Sequence, residues 1–598
     1  MQRRDLLKMT ALAPCAPLIL GAHAALPTNT TATSRRRVRP TDAAWPGEAS
    51  WQSLNVAVGG NLISVQPLLA GCMPPFESAG CADLLQHLHN PFYLGDQPAG
   101  TQVSGWLDAW TPAPSVYAIK ARTTADVVAG VNFARTNNLR LVIKGTGHSY
   151  LGTSNAADSL LIWTRAMNRV EVHEAFVPMG CPVAPVAAVT AEPGALSIDL
   201  YDAVTTRAGR YVQAGGCTDT GVAGLVQGGG FGSFSKGFGT AAANLLEAEV
   251  VTADGRVLTA NACLNPDLFW ALKGGGGGTF GVITRATVRT HDLPQSFGGA
   301  FGKIKARSDA AFERLLARFV GFYGESLLNP HWGESVKIGA ANTLEISLVS
   351  QGLERDQVNE VWRPFLDWVK ASPKDLSLLQ PLSLFAVPSR HWWDVEWNPS
   401  MIRDTRDGAP KHHGWWQGDQ GQVGAFLHGY ESLWLPASLL QKKSQPRFAQ
   451  ALFAASRYKQ VELHMNKGLA GAAPAARAAT QQTATHPGVL DAFALAIIAD
   501  AEGPAYPGLA RPPVDLQAAH ADARAIDLAT AELRKLAPDA GSYVSESNYF
   551  NSSWQRAYWG DNYARLRVIK DKYDPEGLFF VHHGVGSEGW SPDGFMRV

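Results

Sequence analysis

Residues 215–232 read GGCTDTGVAGLVQGGGFG, a segment in which eight of eighteen residues are glycine. Glycine lets a backbone approach a ligand closely, because it carries no Cβ. A related segment, KGTGHSYLGTS, occupies residues 144–154, and its hydroxyls and successive amides suit a phosphate group. Taken alone, a glycine loop more often simply turns the chain. We call these segments the first loop (144–154) and the second loop (215–232).

Strand and helix patterns alternate around both loops. Residues 115–122 and 139–145 are predicted strands, and residues 123–138 between them are a predicted helix capped by Thr123. Further strands are predicted at 188–194, 210–216 and 281–291, with two more in 245–261 about an Asp254-Gly255 turn. Helices are predicted at 197–209 and at 265–274, where Asn265 is the cap. Neither loop has the Gly-x-Gly-x-x-Gly spacing of a nicotinamide-binding unit.

The sequence changes character after residue 292. Residues 293–540 mix helices with predicted amphipathic strands at 337–351 and 459–468, and residues 391–434 are rich in Trp and His. The last segment contains a predicted helix at 561–573, which Asp574-Pro575 ends. These patterns indicate a large, loop-rich enzyme of more than one domain.

The N-terminus has the features of an export signal. Arg3 and Arg4 precede an apolar stretch of about residues 9–22 that ends in the small-residue site Ala22-His23-Ala24. The stretch is shorter than the roughly 20 residues of a membrane span. We interpret residues 1–24 as a twin-arginine-type signal, with an ordinary secretory signal as the alternative, and residues 25–45 as a linker. Export predicts a periplasmic or secreted protein without a membrane span.

The overall composition excludes several classes of function. The 52 basic residues balance the 52 acidic ones, whereas a nucleic-acid binder would show a basic excess or a basic cluster. Hydrophobic residues make up 46% of the chain, which argues against disorder.

Removal of the signal would leave five cysteines, an odd number that asks for an explanation. Cys72 and Cys81 are close enough in sequence to form a disulfide, and Cys181 with Cys263 is a possible second one that no spacing argument fixes. Cys217, in the second loop, is then left over.

Together these motifs resemble the berberine-bridge-enzyme-like FAD-linked oxidases, within the vanillyl-alcohol-oxidase and p-cresol-methylhydroxylase (PCMH-type) flavoproteins. The similarity covers residues 115–291, the segments HGYESLWLPASLL (428–440) and ELHMNKGLAGA (462–472), and residues 547–579. The resemblance implies an α+β fold in two domains. Residues 46–292 would form the PCMH-type FAD-binding domain, to which 541–598 return, and residues 293–540 a substrate domain of antiparallel sheet backed by helices.

The resemblance also implies how FAD would be held. His148 falls on the histidine that bonds to the 8-methyl group of the flavin, and Cys217 on the cysteine that bonds to carbon six in members with two attachments. A structural or disulfide role is the alternative for Cys217. The residues implied at the pyrophosphate are Gly145, Thr146, Gly147, Ser149 and Gly152. Those implied along the flavin are Gly221, Val222, Gly224, Gly228, Gly229 and Gly232, with Asn244 and Val282 in contacting segments.

Oxidation of an alcohol by a flavin needs a base that takes the hydroxyl proton. Tyr543 falls on the active-site tyrosine of the family, although the usual Tyr-x-Asn pattern reads Tyr543-Val544-Ser545 here. Tyr150, beside His148, is implied to face the substrate. Glu462 and His464 share one face of a predicted strand and are candidate base or orienting groups, with ordinary sheet residues as the alternative.

Two features of the sequence are assigned to structure rather than chemistry. The pairs His412-His413 and His582-His583 are not interpreted as metal ligands, because sequence neighbours in a strand point apart and no carboxylate or cysteine is seen to complete a site. Most tryptophans of residues 392–434 are interpreted as core residues, with stacking on a sugar or aromatic substrate as the alternative.

We therefore predict an FAD-dependent oxidoreductase that oxidises a hydroxyl-bearing small molecule, a sugar or an aromatic alcohol, with O2 as acceptor and H2O2 as product. One alternative is a dehydrogenase that passes electrons to a quinone or a carrier, since Thr220 differs from the aliphatic residue usual where the family controls oxygen access. The other alternative is a flavin-bearing protein that forms a C–C bond without net redox or that only binds its ligand. Neither a nucleic acid nor a metal is predicted as a partner.

Overall fold

The computed structural model describes residues 36–72 and 79–598. The predicted signal at 1–24 and the first part of the predicted linker therefore lie outside the described residues. Within the rest of that predicted linker, Arg37 is buried and donates to the carbonyl of Gly577.

The first sheet carries the first loop. Its strands, in spatial order, are Leu62–Ser64, Tyr117–Lys120, Ser159–Trp163 and Arg140–Lys144, with the last three parallel. The helix Thr124–Thr136 begins at a capping box in which Thr123 Oγ1 accepts from the Asp126 amide at 3.3 Å. The predicted strand–helix–strand unit is thus confirmed, and the first loop leaves the sheet at Lys144.

The second sheet is antiparallel and has six strands. Their order is Val170–Phe176, Val186–Ala191, Val282–Asp292, Leu245–Val251 and Val257–Asn261, with Arg210–Val212 also pairing with Val282–Asp292. The predicted helix at 197–209 begins as Ser197–Leu200 and continues with π geometry over Tyr201–Arg207. Asn265 occupies the N-cap position of the helix Pro266–Leu272, as predicted, but its side chain makes no capping bond and its side-chain amide donates to the carbonyl of Thr259 at 2.8 Å.

The third sheet is antiparallel and has seven strands. Their order is Leu376–Pro388, Ser296–Ala306, Thr343–Gln351, Trp332–Gly339, Val461–His464, Ala492–Glu502 and Phe426–Pro436. Residues 337–351, predicted as one strand, belong to two strands of a hairpin, because Asn342 adopts a positive φ of 57° at the turn. The strand predicted at 459–468 is Val461–His464, followed by a 3₁₀ turn at Met465–Lys467.

Helices cover one face of the seven-stranded sheet, and a single apolar core fills the space between them. These helices are Asp309–Phe322, Arg355–Lys370, Gln445–Tyr458 and Leu516–Arg534. The remaining helices are Glu48–Ala57, Ala79–His87, Pro91–Gly95, Val222–Gly228, Ser235–Phe238, Pro474–Gln481, Trp554–Trp559 and Asn562–Tyr573. This α+β arrangement, with an antiparallel sheet backed by helices, confirms the predicted fold class.

Two disulfides join the pairs that the sequence suggested, Cys72–Cys81 and Cys181–Cys263. Cys217 is the free cysteine among the described residues. In that part of the chain, no helix combines the length and the apolar character that crossing a membrane requires.

Candidate flavin-binding and active site

The two glycine loops, which are about seventy residues apart in sequence, meet in space. The His148 Nε2 atom of the first loop lies 3.8 Å from Oδ2 of Asp219 in the second loop. Thr146 packs against Gly221, where a Cβ atom would lie 3.6 Å from the threonine methyl group. Gly147 has a φ of +81°, a conformation in which residues with side chains are strained, so the turn before His148 depends on glycine. The fold therefore places the two predicted attachment residues on adjoining loops.

Polar atoms left without partners mark this junction. Buried polar groups in proteins are almost always hydrogen-bonded. Five buried side-chain atoms of the two loops have no partner within the protein: His148 Nε2, Ser154 Oγ, Thr218 Oγ1, Asp219 Oδ2 and Gln227 Nε2. Such a set of hydroxyl, imidazole, amide and carboxylate atoms fits a polar ligand that carries phosphates and a heteroaromatic ring, as FAD does.

The second loop and the segment after it dock on the seven-stranded sheet. A Cβ atom on Gly333 would lie 1.8 Å from the carbonyl oxygen of Ser233, so this contact requires glycine. The Ser233 hydroxyl donates to the carboxylate of Glu334, and burial raises the pKa of that carboxyl group. The buried ammonium group of Lys236 donates to the carbonyls of Gly468, Ala470 and Phe493. These contacts fix the cysteine-bearing loop against the predicted substrate domain.

Cys217 lies in a strongly acidic environment. Burial, and then the carboxylates of Asp419 and Asp219, raise the pKa of its thiol well above the ordinary value. The thiol donates a hydrogen bond to Asp419. Burial, and then the charges of Asp219 and Glu334, raise the pKa of Asp419 to about 7.

Two stacked tyrosines lie beside the Cys217 thiol. The rings of Tyr150 and Tyr430 are 5.2 Å apart, and the Tyr150 hydroxyl donates to Gln422 at 3.3 Å. Burial raises the pKa of each phenol well above its usual range. The next largest cause is the charge of Cys217 for Tyr150 and the charge of Glu546 for Tyr430. Both phenols are therefore neutral hydrogen-bonding groups at physiological pH.

Glu462 and His464 face away from the helix-covered side of their strand, as their alternation predicts. Glu462 Oε1 accepts from Ser335 Oγ at 2.6 Å and lies 3.4 Å from His464 Nε2. Burial, and then the charge of Lys467, lower the pKa of His464 well below the usual value. Lys467 itself forms an ion pair with Glu546. His464 is thus a neutral imidazole beside a carboxylate.

Tyr543 is buried, and its hydroxyl is engaged by the second loop. It accepts from the Gly230 amide at 3.3 Å and bonds to the Ser545 side chain. Burial, and then the charge of Glu546, raise the pKa of Tyr543 to about 12. The departure from Tyr-x-Asn at Ser545 therefore places a small hydroxyl, rather than an amide, beside the tyrosine.

Five other predicted cofactor residues occupy four settings. Ser149 Oγ bonds to Thr153 Oγ1 at 2.8 Å within the first loop. The Asn244 amide donates to the carbonyls of Phe238 and Thr240 and its oxygen bonds to His291, so this side chain holds its own turn. Val282 packs in the core beneath the first sheet. Residues Val222 and Gly224 lie in the helix Val222–Gly228, which directly follows Gly221.

Residues 389–425, which we call the capping segment, cover both loops. Its Trp416 Nε1 donates to the carbonyl of Gly216 at 3.2 Å. His412 Nε2 and His413 Nε2 both donate to Asp199 Oδ1, at 2.8 and 3.0 Å. The expectation that these adjacent histidines point apart, with no carboxylate nearby, was wrong, because they lie in a turn rather than in a strand. Of the tryptophans, Trp397 is 49% exposed, whereas 392, 393, 415 and 434 are core residues.

Several site residues were not predicted from the sequence. These are Asp219, Glu334, Asp419, Gln422, Tyr430, Lys467 and Glu546. Tyr430, Lys467 and Glu546 lie within or beside segments that carried the family resemblance, so closer attention to those segments would have found them. Asp419 ends a short 3₁₀ turn that follows two tryptophans, and no sequence pattern indicated it.

Comparison with known proteins agrees with this arrangement. The family model "FAD binding domain" matches residues 115–261, and "Berberine and berberine like" matches residues 526–586. The FAD-linked oxidoreductase ZEB1 of Gibberella zeae is 30% identical over 612 residues, which cover 96% of each chain. The VAO-type flavoprotein oxidase VAO615 of Thermothelomyces thermophilus is 29% identical and covers 99% of each chain.

Solved structures share the same architecture. The VAO-type flavoprotein MtVAO615 of Myceliophthora thermophila C1 superposes with a TM-score of 0.76 at 26% identity, over 94% of this chain and 100% of that one. The glucooligosaccharide oxidase of Acremonium strictum is 20% identical with a TM-score of 0.59, over 79% of this chain and 92% of that one, and is similar in fold.

The fold and the two joined loops define an FAD-dependent oxidoreductase. The chain belongs to the berberine-bridge-enzyme-like FAD-linked oxidoreductases of the vanillyl-alcohol-oxidase type.

Proposed function

We propose that this enzyme oxidises a hydroxyl group on a sugar or an aromatic alcohol and reduces O2 to H2O2. The observation that carries the proposal is the junction of the two loops at His148 and Asp219, beside a neutral imidazole that lies next to Glu462. FAD would supply the acceptor of the hydride. The structural neighbours include chitooligosaccharide and glucooligosaccharide oxidases, which supports a sugar or a related alcohol as the substrate.

We infer that His148 and Cys217 each bond to the flavin. The glucooligosaccharide oxidase of Acremonium strictum contains 6-S-cysteinyl, 8α-N1-histidyl FAD, and the adjoining loops of this chain offer the same two residue types. Glycines of both loops, with the hydroxyls of Thr146 and Ser149, would bind the pyrophosphate and the ring edge. Gly145, Gly147 and Gly152 shape the first loop, and Gly221, Gly228, Gly229 and Gly232 the second. Covalent attachment would keep the cofactor bound after export, which the Arg3-Arg4 signal and the two disulfides support.

His464 is our proposed base for the substrate hydroxyl. Its lowered pKa keeps the imidazole unprotonated at neutral pH, and Glu462 Oε1, 3.4 Å from Nε2, would orient the ring. Tyr150 and Tyr430 would orient the substrate as neutral hydrogen-bond donors, since the pKa of each phenol is raised far above neutrality. Tyr543 would position the second loop through the Gly230 amide. In the proposed division into an FAD-binding part (46–292 with 541–598) and a substrate part (293–540), these groups would lie at the boundary between the two.

A panel of sugars and aromatic alcohols tests the proposal. Under nitrogen, a true substrate bleaches the oxidised flavin absorbance, and admission of air restores it with formation of H2O2. Bleaching followed by slow recovery in air but rapid recovery with a quinone would show a dehydrogenase instead. The absence of bleaching by any hydroxyl compound would contradict the proposed oxidation.

A further inference from the structure

The hydrogen bond between Cys217 and Asp419 joins two separate parts of the chain. Asp419 ends the 3₁₀ turn Gln417–Asp419 of the capping segment, two hundred residues after the second loop. The capping segment is fixed over this loop by the bond from Trp416 to Gly216, and over the first loop by the bond from Tyr150 to Gln422. The tertiary structure therefore holds a carboxylate on the thiol from outside the flavin-binding sheets.

A second observation indicates a ligand site next to Asp219, a residue whose charge acts on this thiol. The Asp219 side chain is 5% exposed, and its Oδ2 atom has no hydrogen-bond partner. The Nε2 atom of His148, which it faces, has none either. Both groups belong to the junction that fits FAD.

We propose that Asp419 is the base that removes the proton of Cys217 when its sulfur bonds to the flavin ring. The inference rests on the proposed function, which supplies the flavin and its two attachments. In the step, the S–H bond breaks and its proton passes to the Asp419 carboxylate. The sulfur electron pair forms the bond to carbon six, and the ring gains two electrons and releases the hydrogen of that carbon as a proton. O2 then removes two electrons and two protons as H2O2, which leaves the ring oxidised.

The electrostatics explain why such a base is needed. The thiolate is the nucleophilic form of cysteine, and burial with neighbouring carboxylates makes it scarce at neutral pH. A base is most effective when its pKa is near the working pH, and that of Asp419 is raised to about 7. The charged groups that act on the thiol are Asp419, Asp219, Lys467 and Glu546, and those that act on Asp419 are Asp219, Glu334 and Lys337.

Peptide mass spectrometry of the purified holoenzyme tests the proposal. After proteolysis, a doubly linked flavin joins the His148 peptide to the Cys217 peptide, whereas a singly linked flavin leaves the Cys217 peptide free. We expect Asp419→Asn to lower the doubly linked fraction at least tenfold while the bond to His148 remains. Asp407→Asn is the matched control, because Asp407 is an exposed aspartate of the same capping segment.

Two results would overturn the proposal: an Asp419→Asn enzyme that is doubly linked like the wild type, or a wild type whose Cys217 peptide carries no flavin. Alcohol oxidation is measured separately on the same samples, so a failure of the proposed function is distinguished from a failure of this step.

A time course on the wild type covers the case in which Asp419→Asn does not fold. Enzyme from an oxygen-limited culture, with singly linked flavin, is exposed to air between pH 5.5 and 8.5. We expect the rate of Cys217 attachment to rise up to about pH 7 and then to level off, as Asp419 becomes ionised. A rate that keeps rising tenfold per pH unit to 8.5 would show direct ionisation of the thiol and would overturn the role of Asp419.

Discussion

The Nε2 atom of His148 and the Oδ2 atom of Asp219 lie 3.8 Å apart, although 70 residues of chain separate them. The hydrogen bond that one imidazole nitrogen makes determines the role of the other. At this distance the two atoms are not hydrogen-bonded to each other, but a carboxylate at Nε2 would leave Nδ1 as the nitrogen available for the proposed bond to flavin.

His148→Ala should abolish the attachment through the first loop. In the wild type, flavin absorbance stays with the denatured chain. In His148→Ala, this absorbance should drop to the fraction that is attached through Cys217 alone. The measurement is the visible spectrum of acid-precipitated protein, with mass spectrometry of the peptides. His89→Ala is the control, because His89 is exposed. The assignment would be contradicted by a His148→Ala protein that keeps a full complement of doubly linked flavin, since the histidine link would then be made by another residue.

His464→Gln should slow flavin reduction by alcohol about 10²- to 10⁴-fold, the usual contribution of a general base. Tyr543→Phe should slow it less, because the Tyr543 hydroxyl bonds to the Gly230 amide. Since burial lowers the pKa of His464 well below its usual value of about 6.5, the wild-type rate of reduction should show no inflection at about pH 6.5. Anaerobic stopped-flow spectroscopy measures both effects. A larger loss in Tyr543→Phe than in His464→Gln would reverse the two roles.

Asp199→Asn should destabilise the enzyme by about 2 kcal/mol at neutral pH, because two imidazole donors lose a carboxylate acceptor. Burial opposes ionisation of Asp199, but the hydrogen bonds from His412 and His413 outweigh it and hold its pKa well below the usual range. A lowered pKa contributes stability above the unfolded value of about 3.9, and this contribution is lost as pH falls through the folded value. The difference in Tm between wild type and variant should therefore shrink below about pH 4. A difference that grows in acid would contradict this interpretation.

Gly333→Ala should disrupt the docking of the second loop on the seven-stranded sheet, since the added methyl group would lie 1.8 Å from the Ser233 carbonyl. We expect a lower Tm together with a lower flavin content. Gly503→Ala is the control, because a Cβ atom there has no neighbour within 4 Å. An unchanged flavin content in Gly333→Ala would show that this contact does not support the cofactor site.

The two disulfides should differ in their contribution to stability. The loop closed by Cys181–Cys263 spans 82 residues and that closed by Cys72–Cys81 spans nine. Loop entropy alone gives roughly 4.5 and 2.6 kcal/mol respectively. Denaturant unfolding of the paired Cys→Ser variants would measure both losses, and an equal loss would show that the entropy of the unfolded chain is not the dominant contribution.

Local sequence signals are sufficient to specify the structure around the loops. Apolar spacing and the cap at Thr123 define the helix Thr124–Thr136, because these signals act within a few residues. Alternation places Glu462 and His464 on one face of a strand for the same reason. The glycine loops are equally local, since only glycine tolerates the backbone conformation at Gly147. The alternating pattern of residues 337–351 predicted a single strand, which was wrong because the positive φ of Asn342 turns the backbone into a hairpin.

The identity of the charged groups around the candidate site depends on long-range packing, which no local sequence pattern reveals. Asp419 meets Cys217, and His412 and His413 meet Asp199, across about two hundred residues of chain. Contacts of this kind depend on how the capping segment packs over the loops, and the same residues would be solvated if it packed elsewhere. Because a pKa depends on burial and on neighbouring charges, the raised pKa of Asp419 and the lowered pKa of His464 are properties of the folded protein and not of the residues themselves.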